Sequence, residues 1–125
     1  MVPGQKEMYM ANFVEVPEAA DIGEGAMRTV SVSGRELLIA RVSGRYFAVE
    51  GRCPHLGGKL AQGKLLGTVV TCPLHGSQFD LSDGRVIKWT DWTGLKASIA
   101  RVLKRPRSLR VYQVRVENGR LMVKL

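Results

Sequence analysis

Two short clusters limit how this chain can fold: Cys53-Pro54-His55-Leu56-Gly57 and Cys72-Pro73-Leu74-His75-Gly76-Ser77. They contain both cysteines and both histidines of the chain, with 16 residues between His55 and Cys72. Within each cluster the Cys and the His are close enough to come from one loop. Two cysteines could close one disulfide, but soft residues grouped in pairs read as a metal site before they read as a disulfide framework.

The scaffold that presents these loops reads as all-β. At 125 residues the chain is a single domain, 1–125, with one modest core. Short apolar and β-branched runs broken by Gly-containing turns recur from the start. Phe13–Val16 and Met27–Val32 are expected strands. Glu36–Val42 and Tyr46–Val49 flank Ser43-Gly44-Arg45 and form an expected hairpin, because Gly accepts the φ > 0 that a short turn needs. A second hairpin is expected from Leu109–Glu117, which alternates apolar and polar, through Asn118-Gly119 to Leu121–Leu125. Between the hairpins, a stretch rich in Gly, Pro and Cys at about 51–84 reads as a small inserted subdomain, with strand-like Lys64–Thr71 and Gln78–Leu81 inside it.

Charge is uneven along the chain. The net charge of +8 comes from 19 Lys+Arg against 11 Asp+Glu. Residues 1–84 hold 8 basic and 9 acidic groups, whereas 85–125 hold 11 basic groups against Asp91 and Glu117 alone. Within that basic third, Thr93–Lys104 breaks the β pattern: Trp92, Leu95, Ile99, Val102 and Leu103 recur at helical spacing and Pro106 follows as a stop. One short basic amphipathic helix is expected there, within an insertion at about 89–105 that begins with Trp89. No helix-turn-helix or ribonucleoprotein motif accompanies the charge, which argues against nucleic acid as the partner. There is no run of 18 apolar residues and no secretory signal at the start, so the expectation is a cytoplasmic protein without a membrane anchor.

Two mixed Cys/His pairs in this order, each followed by glycine, can hold zinc in a Cys₂His₂ site or an iron–sulfur cluster. Zinc sites favour like residues paired in one knuckle and make no use of the Gly76-Ser77 sequence. At this point the chain resembles the Rieske family, whose motif is Cys-x-His, about sixteen residues, then Cys-x-x-His. The resemblance runs from the strands before Cys53 through Phe79-Asp80, and resumes at Pro106 with Leu109, Tyr112, Val114 and Val116. It implies the Rieske fold, an antiparallel β-sandwich or barrel with an inserted cluster-binding subdomain, and one [2Fe–2S] cluster. Cys53 and Cys72 would then bind the inner iron, and His55 and His75 the outer iron through Nδ1. Gly57, Gly58 and Gly76 would bring N–H groups near the sulfurs, and Ser77 would donate to a bridging sulfide.

Departures from the family narrow the expectation. Respiratory members carry an extra cysteine in each loop, joined as a disulfide; Leu56-Gly57-Gly58 and Leu74 stand at those places. They also carry a tyrosine hydrogen-bonded to a ligand sulfur, where this chain has Phe79. Donors to the sulfurs stabilise the reduced form, so without the tyrosine the potential is expected in the lower half of the Rieske range of roughly −150 to +300 mV. Phe79→Tyr should raise it and Ser77→Ala lower it. The resemblance also implies a potential that falls as pH rises through the alkaline range.

With no histidine beyond His55 and His75, the chain lacks the two-His, one-carboxylate iron site of an oxygenase catalytic domain. It reads as a one-electron carrier rather than an enzyme, taking electrons from a reductase and passing them to an oxygenase or reductase. Lys96, Arg101, Lys104, Arg105 and Arg107 are candidates for docking an acidic redox partner. Two other readings remain open: a tightly bound small subunit of a nitrite reductase or similar complex, and a redox-sensing regulator.

Overall fold

A computed structural model describes residues 13–55, 57–74, 76–89 and 106–125. These form strands β1 (Phe13–Glu15), β2 (Met27–Val32), β3 (Arg35–Val42), β4 (Arg45–Glu50), β5 (Lys64–Leu66), β6 (Val69–Thr71), β7 (Gln78–Asp80), β8 (Val86–Lys88), β9 (Val111–Tyr112), β10 (Val114–Glu117) and β11 (Arg120–Lys124). They make three antiparallel sheets, in the orders β1-β11-β10, β2-β3-β4-β9 and β5-β6-β7-β8. Two 3₁₀ turns, Pro17–Asp21 and Leu60–Gln62, are the only helical pieces among the described residues. The all-β class is therefore as expected, and the helix expected over Thr93–Lys104 lies outside the described residues.

The long hairpins owe their register to three turns of one kind. Ser33-Gly34, Ser43-Gly44 and Asn118-Gly119 all have positive φ at both central positions, 50° and 80°, 53° and 74°, 51° and 76°. That is the twist which matches two-residue hairpin turns to their strands. The Glu24 carboxylate reinforces the β3–β4 turn by accepting the N–H groups of Ser43 at 2.6 Å and Gly44 at 2.8 Å. Those bonds hold its pKa below the ordinary value.

Strand β3 divides the molecule into two cores. Leu37, Leu38, Ile39 and Ala40 are all buried, and the two-residue period of a strand sends alternate side chains to opposite faces. Leu37 and Ile39 join Ala48 and the β1-β11-β10 side, with Val16, Leu121 and Val123. Leu38 and Ala40 join Val49 and the inserted side, where the core contains Cys53, Cys72, Phe79 and Trp89. The central sheet is thus a wall, with the cysteines anchored to one face of it.

Two expected strands are corrected. Lys64–Thr71 is not one strand but the hairpin β5–β6, turning at Gly67 with φ 58°. Leu109–Glu117 is two strands in different sheets: β9 pairs β4 through Ala48↔Tyr112, and β10 pairs β11. The chain changes sheets at Gln113, whose carbonyl still accepts Lys124 N–H at 2.9 Å. Strand β8 and both 3₁₀ turns were not anticipated.

Candidate metal centre

Both ligand loops close in the same way. Cys53 N–H donates to the Gly58 carbonyl and Gly57 N–H returns to the Cys53 carbonyl, both at 2.8 Å. In the second loop Cys72 N–H donates to the Ser77 carbonyl at 2.7 Å and Gly76 N–H to the Cys72 carbonyl at 3.2 Å. The loop between β7 and β8 repeats the pattern, with Asp80 N–H on Arg85 O at 3.0 Å and Gly84 N–H on Asp80 O at 2.7 Å. The fifth residue in each loop is a glycine with φ of 78°, 72° and 78°. A side chain disfavours that conformation, so Gly57 and Gly76 are set by loop closure. Their N–H groups, expected near cluster sulfurs, bond the loops' own carbonyls.

Gly58 has a different reason. A Cβ built there would lie 2.9 Å from Cys72 Sγ and 3.0 Å from Leu74 Cγ, so the backbone of the first loop approaches the sulfur of the second. The same facing of the loops puts Ser77 Oγ 3.3 Å from His55 Nδ1. Cys53, Cys72 and His55 are brought together and buried. His75 lies outside the described residues, between Leu74 and Gly76 of the second loop.

The donor chemistry fits a cationic iron–sulfur centre. Both cysteines are free thiols. Burial pushes the Cys53 thiol up, outweighing the His55 N–H beside it, and the charge of Cys72 adds to the rise. Two buried thiols that resist losing protons alone become ligands when a metal supplies positive charge. The residues that would hold the cluster are therefore Cys53 and Cys72 for one iron, His55 and His75 for the other. Phe79 is fully buried beneath them, at the place expected.

Trp89 was read from sequence only as the start of the insertion. Its indole is buried in the cluster-side core, with its ring centroid 4.8 Å from that of His55 and 6.3 Å from that of Phe79. Its carbonyl accepts the Ser77 hydroxyl. An aromatic immediately after a short apolar pair, Val86-Ile87, was the available signal.

Of the candidate docking residues, Lys96, Arg101, Lys104 and Arg105 lie outside the described residues. Arg107 is described, and its guanidinium forks onto Glu50, with Nη1 on Oε1 at 2.8 Å and Nη2 on Oε2 at 3.0 Å. Glu50 also accepts Arg110 N–H at 2.8 Å. Hydrogen bonding to Glu50 raises the Arg107 pKa. This pair fastens the returning end of the insertion to β4.

The Rieske [2Fe-2S] domain family matches residues 12–99. The chain is 32% identical over 113 residues to the ferredoxin component of the naphthalene 1,2-dioxygenase system of Pseudomonas putida, covering 90% of this chain and 95% of that protein. It superposes on the ferredoxin of carbazole 1,9a-dioxygenase from Nocardioides aromaticivorans with a TM-score of 0.71 at 23% identity, over 90% of this chain and 97% of that one. A chain in a complex of reduced oxygenase and oxidized ferredoxin of carbazole 1,9a-dioxygenase gives a TM-score of 0.70 at 27% identity, over 90% and 93%. Matched across most of its length by a family whose motif its two facing loops carry, this chain belongs to the Rieske [2Fe–2S] domain family.

Proposed function

We propose that this protein is a Rieske ferredoxin that carries single electrons from a reductase to the oxygenase of a multicomponent dioxygenase system. One observation carries the reading: the ligand sulfurs are buried while the loop tips above them reach solvent. Cys53 and Cys72 are 2% and 3% exposed, whereas Leu74 at the second tip is 55% exposed. Bound there, the [2Fe–2S] cluster supplies a one-electron couple. The chain's own residues do the rest. Cys53 and Cys72 hold the inner iron away from water, His55 and His75 hold the outer iron, and the apolar tip around Leu74 offers a surface on which a partner can exclude water.

The relatives' names support an oxygenase as acceptor: one is the ferredoxin component of a naphthalene dioxygenase system, and a similar structure is a ferredoxin–oxygenase complex. No helix among the described residues is long and apolar enough to cross a membrane. We place the protein in the cytoplasm, where thiols stay reduced for cluster assembly. The basic residues Lys96, Arg101, Lys104 and Arg105 are our candidates for meeting an acidic face of a partner.

The test is spectroscopic first, then catalytic. Purified protein should show visible iron–sulfur absorption and a Rieske-type EPR signal on one-electron reduction. It should also restore turnover to an aromatic-ring dioxygenase supplied with its reductase alone. A colourless, EPR-silent protein would sink the reading, as would a loaded protein that no reductase can reduce.

A further inference from the structure

Ser77 is fully buried, so water does not compete for its hydroxyl. Three polar groups lie around that oxygen. The carbonyl of Trp89 accepts its hydrogen, His55 Nδ1 stands at 3.3 Å, and the Cys53 thiol is close enough to feel it as the weakest of its perturbing contacts. A serine hydroxyl has one hydrogen to give. A backbone carbonyl is a far better acceptor than a thiol, and sulfur accepts only weakly. A hydrogen committed to Trp89 cannot also be donated to a cluster sulfur.

The Trp89 carbonyl is held where it is by its own side chain. The indole is 3% exposed, tilted 44° against the His55 ring and edge-on to Phe79 at 84°. Both contacts are within the range in which aromatic rings attract each other. Packing of the ring therefore fixes the backbone that takes the Ser77 hydroxyl, and the same ring covers one side of the His55 imidazole.

We propose that Trp89 is a positioning residue that withholds the Ser77 hydroxyl from the cluster and shields His55, holding the reduction potential lower than the Gly76-Ser77 sequence alone implies. This rests on the Rieske reading above and deepens it. Fewer donors to sulfur leave the reduced form less stabilised, and a covered imidazole has less water to screen the added electron. The family resemblance predicts the reverse for one variant: there, Ser77→Ala removes a donor to sulfur and must lower the potential.

The experiment measures the reduction potential of wild type, Ser77→Ala, Trp89→Phe, Trp89→Ala and the Ser77→Ala/Trp89→Ala double variant. Loading is first checked by visible absorption. A wild type without a cluster would defeat the Rieske reading itself, whereas the potentials of loaded protein test only the role of Trp89. Ser77→Ala should leave the potential at its wild-type value, and Trp89→Phe should keep it there because an aromatic ring still seats the carbonyl. Trp89→Ala should raise it, and the rise should shrink in the Ser77→Ala background, where no hydroxyl is left to release. A drop in Ser77→Ala overturns the proposal, as does an equal rise for Trp89→Ala in both backgrounds. Should Trp89→Ala fail to hold a cluster, Ser77→Ala and the deuteron coupling of the reduced centre in D₂O still decide. That coupling should be the same in wild type and Ser77→Ala, and loss of a strong deuteron in Ser77→Ala would refute the assignment.

Discussion

At position 58 one methyl group decides whether the two loops can face each other. The Cβ of an alanine would lie 2.9 Å from Cys72 Sγ and 3.0 Å from two carbons of Leu74. Neither side can yield without moving a ligand. Gly58→Ala is expected to fold yet hold little cluster, read as visible absorbance per chain falling to a small fraction of wild type with unchanged far-ultraviolet circular dichroism. Gly67 is the control: its φ is 58° but nothing lies within 4 Å of a Cβ there. Gly67→Ala should cost about 1 kcal/mol of stability and leave loading intact. Phe79 poses a different problem, because it is fully buried. A hydroxyl placed there costs about 1–3 kcal/mol if unpaired, so Phe79→Tyr should lower the melting temperature. Where that hydroxyl reaches a ligand sulfur, the potential rises, and voltammetry showing no change would mean that it does not reach. Asp80 sets an acid limit. Its carboxylate accepts Ser82 Oγ at 2.6 Å and Ser82 N–H at 2.9 Å, which with Thr68 and Arg85 hold its pKa below the usual value of 3.8. A lowered folded-state pKa gives stability that is complete above the unfolded value and is lost as pH falls through the folded one. Asp80→Asn should therefore be less stable than wild type at neutral pH, by about 1 kcal/mol. The gap should close in acid, as melting temperatures across the two ranges will show.

Among the elements, β3 does most to link fold to site. Leu37 and Leu38 are adjacent and both buried, yet they belong to different cores. Truncating either should cost about 2–5 kcal/mol. Only Leu38→Ala hollows the core that contains Cys53 and Cys72. Both variants should melt earlier by similar amounts, and Leu38→Ala alone should surrender iron faster to a chelator; equal release from both would deny that the wall has two sides. This division was half legible in sequence. Glu36–Val42 reads as a strand from its composition, but four consecutive buried residues hide the alternation that tells one face from the other. Apolar run length misled in the same way at Lys64–Thr71, where a single Gly67 at positive φ folds the run back on itself. It misled again at Leu109–Glu117, where regular alternation continues across a change of sheet at Gln113. The ligand set was legible because metal chemistry needs particular side chains at fixed spacing. Trp89 was not, because its importance comes from a backbone carbonyl and a ring face meeting residues from two other loops.

Over the whole molecule the charge is divided along the chain, 8 basic against 9 acidic groups in residues 1–84 and 11 against 2 in 85–125. Such asymmetry gives a partner with an acidic face a preferred direction of approach. Not every basic residue is available for this. Arg107 is bound to Glu50, so its charge is locally balanced, and the pair is exposed enough that removing it should cost no more than about 1 kcal/mol. Lys96, Arg101, Lys104 and Arg105 belong to the segment between Trp89, which is anchored over His55, and Arg107, which is anchored on β4. Both anchors lie beside the cluster-side core, so a charge carried between them acts close to the exit for electrons. If this segment steers the encounter, the second-order rate of electron transfer to the partner falls as salt shortens the screening length, which is about 8 Å at physiological ionic strength. Reversing the four charges to glutamate should then slow transfer at low salt by at least tenfold, with the difference closing at high salt. Arg107→Ala should leave the salt slope unchanged. The reduction potential of each variant, measured alongside, separates encounter from driving force. A rate that is flat in salt for the wild type, or the same for the four-charge variant, would remove the segment from the docking surface and leave the apolar tip at Leu74 to bind the partner alone.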